Sequence, residues 1–271
     1  MSAARPGSKA EGNRETGIVS PNKKVIGVLG GMGPEATAHF FRLLIAATDA
    51  AADQDHAPIL VWNDPRVPPR SDAILGRGPS ALPALLAGLA LLERAGAGLI
   101  VMPCLTAHHY APELAAAADV PFVDLIAETL AHARRRIPGL KKAGLLASTG
   151  TIKAGLFAKP FARAGIEILT PSTREQEAVT AAIHDIKAGH TTGRPRTAAV
   201  RAARALVARG AEAVIAGCTE IPLVLRTGDI DRPLLDPMAI GARACIRKAG
   251  YAVRGSRDDP SARGAQAPVS A

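Results

Sequence analysis

Two cysteines follow two similar apolar segments of the chain, and their positions indicate where chemistry could occur. Residues 96–104 and 210–218 each begin with Gly-Ala, continue as an apolar stretch and end in cysteine, Cys104 and Cys218. A threonine stands close behind each, at Thr106 and Thr219. Ligands of open α/β sheets bind at the carboxyl ends of parallel strands, so the two thiols are expected to face one cleft. There they could act as a base and an acid on opposite faces of one carbon atom.

The cysteine segments belong to a longer internal repeat. Residues 25–30 resemble residues 142–147, and the two pairs of segments are offset by nearly the same number of residues. Similar offsets across four segments favour a duplication, in which the second half of the chain repeats the first. Taken singly, each cysteine fits a buried structural role better than a functional one; their matched positions in the repeat reverse that preference and favour function.

The elements that position these residues alternate along the chain. Apolar runs typical of strands lie at residues 25–29, 59–62, 99–102, 143–146, 166–169 and 214–216. Alanine-rich amphipathic segments of helical length lie at residues 36–51, 81–95, 111–118, 125–136, 154–164, 175–188 and 197–208, and a last helix starts near Pro237. Strands that alternate with helices predict parallel βαβ units.

We therefore predict an α/β protein with two similar flavodoxin- or Rossmann-like parallel-sheet domains, related by pseudo-twofold symmetry, with the active site between them. The first domain is expected at residues 24–125 and the second at residues 126–252, and the C-terminal helix could pack back onto the first. Residues 1–23 and 253–271 are polar and rich in Gly, Pro, Ser and charge, which predicts disordered tails.

Composition excludes several classes of function. The net charge of +9 is not organised as a Lys/Arg block interleaved with aromatics, so we expect no nucleic-acid partner, and the charge would instead attract small anions. No apolar run is long enough to span a membrane, and residues 1–22 lack an apolar signal core, which predicts a cytoplasmic protein without a membrane partner. Three cysteines do not make a disulfide framework, and Cys245 is expected to be a buried hydrophobe.

Metal and dinucleotide sites are both disfavoured. Cys104, His108 and His109 have loosely metal-like spacing, but a structural zinc needs four ligands and no CxxC partner exists. Residues 31–36 fit the Gly-x-Gly-x-x-Ala form of the dinucleotide fingerprint. Pro34 removes an N–H from that turn, and the next strand ends too far along the chain for the usual ribose-binding carboxylate. A loop that brings backbone N–H groups to a small anion is favoured, with a purely structural turn as the alternative.

Several polar side chains adjoin the predicted strand ends. A thiol before a helix has its pKa lowered by the helix N-terminus, which we expect of Cys104 and, in a similar setting, of Cys218. Glu220 would then handle a proton or orient a neighbour. Arg66 or Arg70 could bind a carboxylate through paired hydrogen bonds, whereas Lys187 alone would be read as a surface lysine at a helix end.

Together, these motifs resemble the aspartate/glutamate racemase family, in particular its aspartate racemase branch, over about residues 24–250. The resemblance rests on residues 30–37, 53–56, 103–104, 106–108, 148–151, 186–189 and 217–223. It implies two similar α/β domains around one site, a homodimer, no pyridoxal phosphate, no metal, and a dicarboxylic amino acid as the substrate. One cysteine removes the α-proton and the other delivers a proton to the opposite face.

The resemblance also implies residue roles. The catalytic pair would be Cys104 and Cys218, with Glu220 as the family's glutamate after Cys-Thr. The remaining positions would contact the substrate: Arg70 and Lys187 its distal carboxylate, Thr106, Thr149 and Thr219 its α-carboxylate, and Met32 and Gly33 its flank in the glycine loop.

One position departs from the family pattern. The family usually reads Pro-Cys-Asn-Thr, and here Leu105 replaces the Asn, which removes a polar contact to the α-carboxylate end. We therefore expect a cofactor-independent aspartate or glutamate racemase, or alternatively a related enzyme with another substrate, such as a maleate isomerase, a hydantoin racemase or a racemase of another amino acid. A ligand-binding protein that lost the chemistry, and a nucleotide-binding module, are the alternatives outside this class.

Overall fold

Two parallel four-stranded sheets form the framework of the molecule, which is a computed structural model describing residues 22–255. The first sheet has the order β2-β1-β3-β4 and the second the order β6-β5-β7-β8, so the two share one topology. The strands are β1 Ile26–Gly30, β2 Ile59–Asn63, β3 Leu99–Val101, β4 Phe122–Val123, β5 Lys142–Leu146, β6 Glu167–Leu169, β7 Ala213–Ala216 and β8 Leu234–Leu235. This arrangement confirms the predicted pair of similar parallel-sheet halves.

Ten α-helices within residues 22–255 connect and cover the sheets. They are α1 Pro34–Ala47, α2 Arg70–Ile74, α3 Leu82–Arg94, α4 Ala111–Ala117, α5 Leu125–Arg136, α6 Thr149–Lys153, α7 Ala158–Arg163, α8 Thr173–Lys187, α9 Arg194–Ala208 and α10 Pro237–Lys248. Of the helix predicted at 154–164, only α7 at residues 158–163 is helical, because Gly155, with a left-handed φ of 68°, separates it from α6, which ends at Lys153. No helix among these residues is long and apolar enough to cross a bilayer.

The last helix of each half packs onto the other half. Helix α10 follows the second sheet but contacts α1, β3 and β4 of the first, while α5 follows the first sheet and contacts α7 of the second. One apolar core accordingly includes residues of both sheets, such as Ile26 and Leu145. Because the two halves share this core, the spacing between their strand ends is set by packing rather than by a linker.

The ends of the described chain also join this body. Val253, assigned above to the C-terminal tail, is buried and forms an isolated antiparallel bridge with Thr48 at the end of α1. The N–H of Arg254 donates to the carbonyl of Ala47 at 2.9 Å. The rest of both predicted tails, residues 1–21 and 256–271, lies outside the described residues. Cys245 is fully buried in α10.

The close contact between α5 and α10 predicts that a methyl group added at Gly241 changes the stability of the fold. A Cβ on Gly241 would overlap Cδ2 of Leu125, so the contact needs glycine inside a helix, where alanine normally adds about 1 kcal/mol of stability. We expect Gly241→Ala to lower the free energy of unfolding by about 1–3 kcal/mol through overpacking, measured by urea denaturation.

The double variant supplies the control for this contact. Leu125→Ala alone removes the overlapping side chain, so adding Gly241→Ala in that background should no longer destabilise the protein. A Gly241→Ala protein more stable than the wild type would show that the two helices do not meet this closely.

Candidate active site

The carboxyl ends of both sheets face one cavity of about 340 Å³ between the halves, here called the interdomain cavity. Nine of the ten site residues predicted from the sequence line it: Met32, Arg70, Cys104, Thr106, Thr149, Lys187, Cys218, Thr219 and Glu220. The tenth, Gly33, instead lines a neighbouring cavity that shares a wall with the first. The structure thus brings side chains from distant parts of the chain to one enclosed space.

The two cysteines reach this cavity from equivalent strands. Cys104 follows β3 and Cys218 follows β7, and these strands pair with β1 and β5, the first strands of their halves. Both side chains are buried, with 4% and 6% of their surface exposed. Because each lines the interdomain cavity at the end of a parallel strand, one small substrate could contact both thiols.

Cys218 is held by a carboxylate. Its Sγ donates to Oε2 of Glu220 at 2.9 Å, and the hydroxyl of Thr219 donates to the same oxygen at 3.1 Å. Burial raises the pKa of Cys218 well above its ordinary value, and the charge of Glu220 adds to this, while the cation of Lys187 opposes it. With no substrate bound, Cys218 is therefore a thiol, which is a proton donor.

The predicted lowering of the pKa of Cys218 by a helix N-terminus is wrong. The segment after it is a three-residue 3₁₀ turn, Ile221–Leu223, which offers little aligned dipole. Desolvation of a fully buried thiolate outweighs so small a field. The carboxylate two residues along the chain acts in the same direction as burial.

Two cations and this carboxylate make one wall of the cavity. The guanidinium of Arg70 donates to the carbonyls of Val67 at 3.0 Å, Pro68 at 3.1 Å and Met32 at 3.3 Å. Nζ of Lys187, at the end of α8, lies 3.9 Å from Oε1 of Glu220. Because two cations and one buried carboxylate line this part of the cavity, its net positive charge favours an anionic group.

The other candidate arginine lies elsewhere. Arg66 forms a paired hydrogen bond with the carboxylate of Asp64 at 2.8 and 3.0 Å, and its side chain is 82% exposed. It is not among the residues that line the interdomain cavity. Of the two arginines that the sequence left open, Arg70 is therefore the one available to a ligand there.

A triangle of hydroxyl groups joins the halves beside Cys104. Oγ1 of Thr106 lies 2.9 Å from Oγ of Ser148 and 3.0 Å from Oγ1 of Thr151, and these two lie 3.0 Å apart. Thr106 belongs to the first half, whereas the other two begin α6 of the second. Since each hydroxyl is both donor and acceptor, the triangle fixes the spacing of the halves and still offers lone pairs and protons to a ligand.

The glycine loop is a structural turn at its first residue. The N–H of Gly31 donates to Oγ1 of Thr37 at 2.9 Å, so it is not free to bind an anion. Gly31 has a φ of 96°, and a Cβ there would overlap the backbone of Asp64. The expectation of an anion-binding loop is therefore wrong at this residue, and the loop reaches the interdomain cavity only through Met32.

His108 fixes the backbone at Cys104 rather than a metal. Its Nδ1 lies 2.9 Å from the carbonyl oxygen of Cys104, and the N–H of Leu125 donates to its Nε2 at 3.0 Å. Nε2 must accept, so Nδ1 carries the proton and the ring is neutral. Burial lowers the pKa of His108, although Asp124 opposes the shift. The ring thus ties the strand end of Cys104 to the start of α5.

Sequence reasoning missed several cavity-lining residues on two helices. Helix α2 contributes Ser71 and Asp72, and α8 contributes Thr180 and His184 in addition to Lys187. Helix α2 was not predicted because the prolines before it favour a loop. The α8 residues follow helical spacing ahead of Lys187, and that periodicity is the signal by which they could have been found.

The contact between Cys218 and Glu220 predicts a change in thiol reactivity. Glu220→Gln removes a negative charge that disfavours the thiolate, so the pKa of Cys218 should fall and its alkylation should begin at lower pH. We would measure the pH dependence of iodoacetamide labelling in a Cys104→Ser background. Cys245, whose pKa burial also raises, should stay unlabelled in both proteins.

One outcome of the labelling experiment would contradict this role of Glu220. An unchanged or higher labelling pH in Glu220→Gln would mean that burial alone sets the pKa of Cys218. The Thr219→Val protein serves as the matched control because it removes a neighbour of the same carboxylate and leaves the charge in place.

Comparison with known proteins agrees with this geometry. The chain is 28% identical over 231 residues to a protein of Bacillus subtilis (strain 168) named broad specificity amino-acid racemase RacX, covering 82% of this chain and 96% of that one. Among solved structures it is similar to Picrophilus torridus aspartate racemase, with a TM-score of 0.77, 29% identity, and coverage of 85% of this chain and 96% of that chain. An aspartate racemase homologue from Pyrococcus horikoshii OT3 matches with a TM-score of 0.68, 26% identity, and coverage of 84% and 99%.

The family model agrees with these similarities. Residues 29–245 match the model described as Asp/Glu/Hydantoin racemase, a span that contains both cysteines and all strands except the first residues of β1. The two four-stranded parallel sheets match the fold of the similar aspartate racemase structure. The chain therefore belongs to the Asp/Glu/hydantoin racemase family and is a racemase.

Proposed function

We propose that this racemase interconverts the L and D forms of an acidic amino acid, aspartate or glutamate, without a cofactor, using Cys104 and Cys218 as its acid and base. The observation that carries the proposal is the pair of buried thiols at equivalent strand ends of one cavity, one of which is hydrogen-bonded to a carboxylate at 2.9 Å. A two-base inversion needs one protonated and one deprotonated group on opposite faces of the substrate.

The walls of the interdomain cavity supply complementary groups. The distal carboxylate of the substrate would lie against Arg70 and Lys187, because a guanidinium and an ammonium favour a carboxylate in an enclosed site. Hydroxyl donors for the α-carboxylate would come from Thr106, Thr149 and Thr219, which line the same cavity. Met32 closes one side by its buried side chain, and Gly33 leaves room beside Glu220.

The reaction moves one proton off Cα and another onto it. The thiolate of Cys104 removes the α-proton from one face, and the electron pair left on Cα delocalises into the α-carboxylate. Preorganised hydroxyl donors stabilise the charge that develops there. Cys218 then gives its proton to the opposite face, which leaves Cys218 as a thiolate and Cys104 as a thiol. In the reverse direction the two exchange roles.

A second candidate is a racemase with a different or wider range of substrates. Leu105 lines the interdomain cavity with an apolar side chain, 1% exposed, at the position where the family usually has Asn. The similar Bacillus subtilis protein is named a broad specificity amino-acid racemase. A maleate isomerase-like reaction would use the same two thiols and two cations on a substrate without an amino group.

The environment and assembly of the enzyme are part of the proposal. All three cysteines within residues 22–255 are free thiols, and a mechanism that needs two of them reduced suits the cytoplasm. We also propose a homodimer, as the resemblance implies. Exposed apolar side chains on α1 and the edge strand β2 would suit such a contact: Phe41, Ile45 and Val61.

Proton exchange in D₂O tests the reaction. Incubation with L-aspartate, and separately with L-glutamate, should replace the Cα–H signal by deuterium in the NMR spectrum while optical rotation is lost. Cys104→Ala and Cys218→Ala should each abolish the loss of rotation because one face then lacks its acid or base. Cys245→Ala, which removes the thiol buried in α10, should racemise like the wild type.

Other outcomes would change the assignment. Exchange without loss of rotation would mean that only one thiol works. No exchange with either substrate would contradict the acidic-substrate proposal, and neutral amino acids and maleate would then be assayed in the same way.

Leu105 is the residue expected to weaken binding of the α-carboxylate end. Leu105→Asn should raise kcat/KM for aspartate on the order of tenfold, since one added hydrogen bond to a charged group is worth about 1.5–3 kcal/mol. Alanine carries the same α-carboxylate, so its kcat/KM should rise by a similar factor, and steady-state racemisation of both amino acids measures the two values. Leu105→Met, of similar volume, should leave both values unchanged, and unchanged values in the Asn variant would show that this position does not touch the α-carboxylate end.

A further inference from the structure

A second cavity of about 200 Å³ lies against the interdomain cavity. Three charged side chains line both spaces and so form the wall between them, here called the charged partition: Arg70, Lys187 and Glu220. The rest of the second cavity is made by the glycine loop, the start of α1, Pro65, Ile186 and Leu223. Neither cysteine lines it.

Glu220 has one carboxylate oxygen on each side of the partition. Oε2 accepts hydrogen bonds from Cys218 and Thr219 on the interdomain side. Oε1 faces Lys187 at 3.9 Å, and a Cβ on Gly33, in the wall of the second cavity, would lie 3.8 Å from it. The side chain is only 4% exposed, so this carboxylate is a buried bridge between the thiol and the second cavity.

The second cavity reaches solvent at its outer end. Pro34, Glu35 and Pro65 line it and are exposed, whereas Gly31 and Ala36 line it and are buried. A water molecule occupies about 30 Å³ of liquid, so the space has room for a short chain of waters between the surface and Glu220. Polar groups of the partition would bind the innermost of them.

A two-thiol racemase must reset the protons of both thiols between turnovers, and this inference therefore rests on the function proposed above. Each turnover leaves the proton on the other cysteine, and a second substrate of the same hand cannot react until both thiols have been reset. Substrate entering and product leaving the interdomain cavity obstruct proton exchange between Cys218 and solvent on that side. We propose that Glu220 and the second cavity form a proton path that resets Cys218 from solvent without passing through the substrate cavity.

The path moves only protons, and its balance closes. After a turnover in which Cys218 has acted as the acid, its side chain is a thiolate. Water in the second cavity protonates Oε1 of Glu220, the carboxyl group rotates to bring that proton to the thiolate, and the thiolate takes it. The Glu220 carboxylate is regenerated, and hydroxide left in the water chain is neutralised by solvent. Cys104 loses its proton to solvent on the interdomain side. The reverse sequence deprotonates Cys218 after turnover in the opposite direction.

A blocked path has a distinctive kinetic signature. Reset follows product release, so it limits kcat but does not enter kcat/KM for a single enantiomer. A damaged active site would lower kcat/KM instead. The pair of constants therefore separates a proton path from a merely structural role of the same residues.

The experiment fills the second cavity without touching the catalytic residues. Leu223 is half-buried and lines only the second of the two cavities. Leu223→Phe should lower kcat for L-aspartate by about tenfold, a small part of what a positioned proton transfer supplies, and lower KM by the same factor. Leu223→Met keeps the volume and should match the wild type in both constants.

A larger side chain at the solvent opening of the second cavity provides an independent test. Pro65 lies at the exposed mouth, so Pro65→Phe should fold normally and lower kcat with kcat/KM unchanged, while Pro65→Ala should have no effect. A fall in kcat/KM with unchanged kcat in the Phe variants would show that the second cavity receives part of the substrate, which would overturn the proton path.

The remaining outcomes are distinct. If the wild type racemises an amino acid and both Phe variants match their controls, the path is wrong and the proposed function stands. If the wild type racemises neither aspartate nor glutamate nor any other amino acid assayed, both proposals fall together.

Discussion

The active site depends on the shared core that fixes the distance between two sets of strand ends. A cavity lined by a thiol from each half works only if the halves cannot drift apart, and flexible linkers do not provide that. Here α5 and α10 each pack onto the opposite half, and one apolar cluster contains residues of both sheets. The hydroxyl triangle of Thr106, Ser148 and Thr151 adds a polar contact between the halves. Packing and polar contacts therefore both fix the distance between the strand ends of the two halves.

Within that frame, burial determines the electrostatics. A thiol and a carboxylate at hydrogen-bond distance in bulk water would perturb each other little, because the solvent screens them. Cys218 and Glu220 are both nearly sealed from solvent, and so burial, with the charge of the carboxylate added to it, raises the pKa of Cys218 and keeps the proton on the thiol. Arg70 and Lys187 line the same wall. They offset the negative charge there and make the cavity suitable for an anion, which the overall charge of +9 also attracts.

Sequence alone predicted the architecture well because its signals are long and repeated. The six longer strands, most helices and the matched positions of the cysteines could be read from apolar runs and their offset. Strands β4 and β8 have two residues each and are too short for any pattern to show. Helix α2 follows the prolines before Arg70, which favour a loop. The domain limits remain predictions from the pattern of elements, and the residue roles remain predictions of the resemblance.

What the sequence could not give is the state of the groups in the cavity. The direction of the pKa shift of Cys218 depends on how completely the fold buries it. The sequence around a cysteine at a strand end is the same whether that cysteine is buried or exposed. The role of His108 was also hidden, since its partners, the carbonyl of Cys104 and the N–H of Leu125, are backbone groups. The N–H groups of the glycine loop were expected to bind an anion, but that of Gly31 instead donates a hydrogen bond to Thr37. In each case the deciding partner is brought close by folding.

The duplication gives two equivalent strand ends, and the chain then makes them different. Two residues after Cys218 stands a carboxylate, Glu220, whereas two residues after Cys104 stands a hydroxyl, Thr106. The carboxylate adds to the effect of burial in keeping one thiol protonated and also lines a second cavity, while the hydroxyl joins a triangle that holds the halves together. A racemase must treat two mirror-image substrates nearly alike, but the two-thiol mechanism that we propose still needs one acid and one base in the resting state. An asymmetric pair of neighbours on a symmetric scaffold meets both requirements, because it biases the proton toward one thiol without changing where either thiol stands.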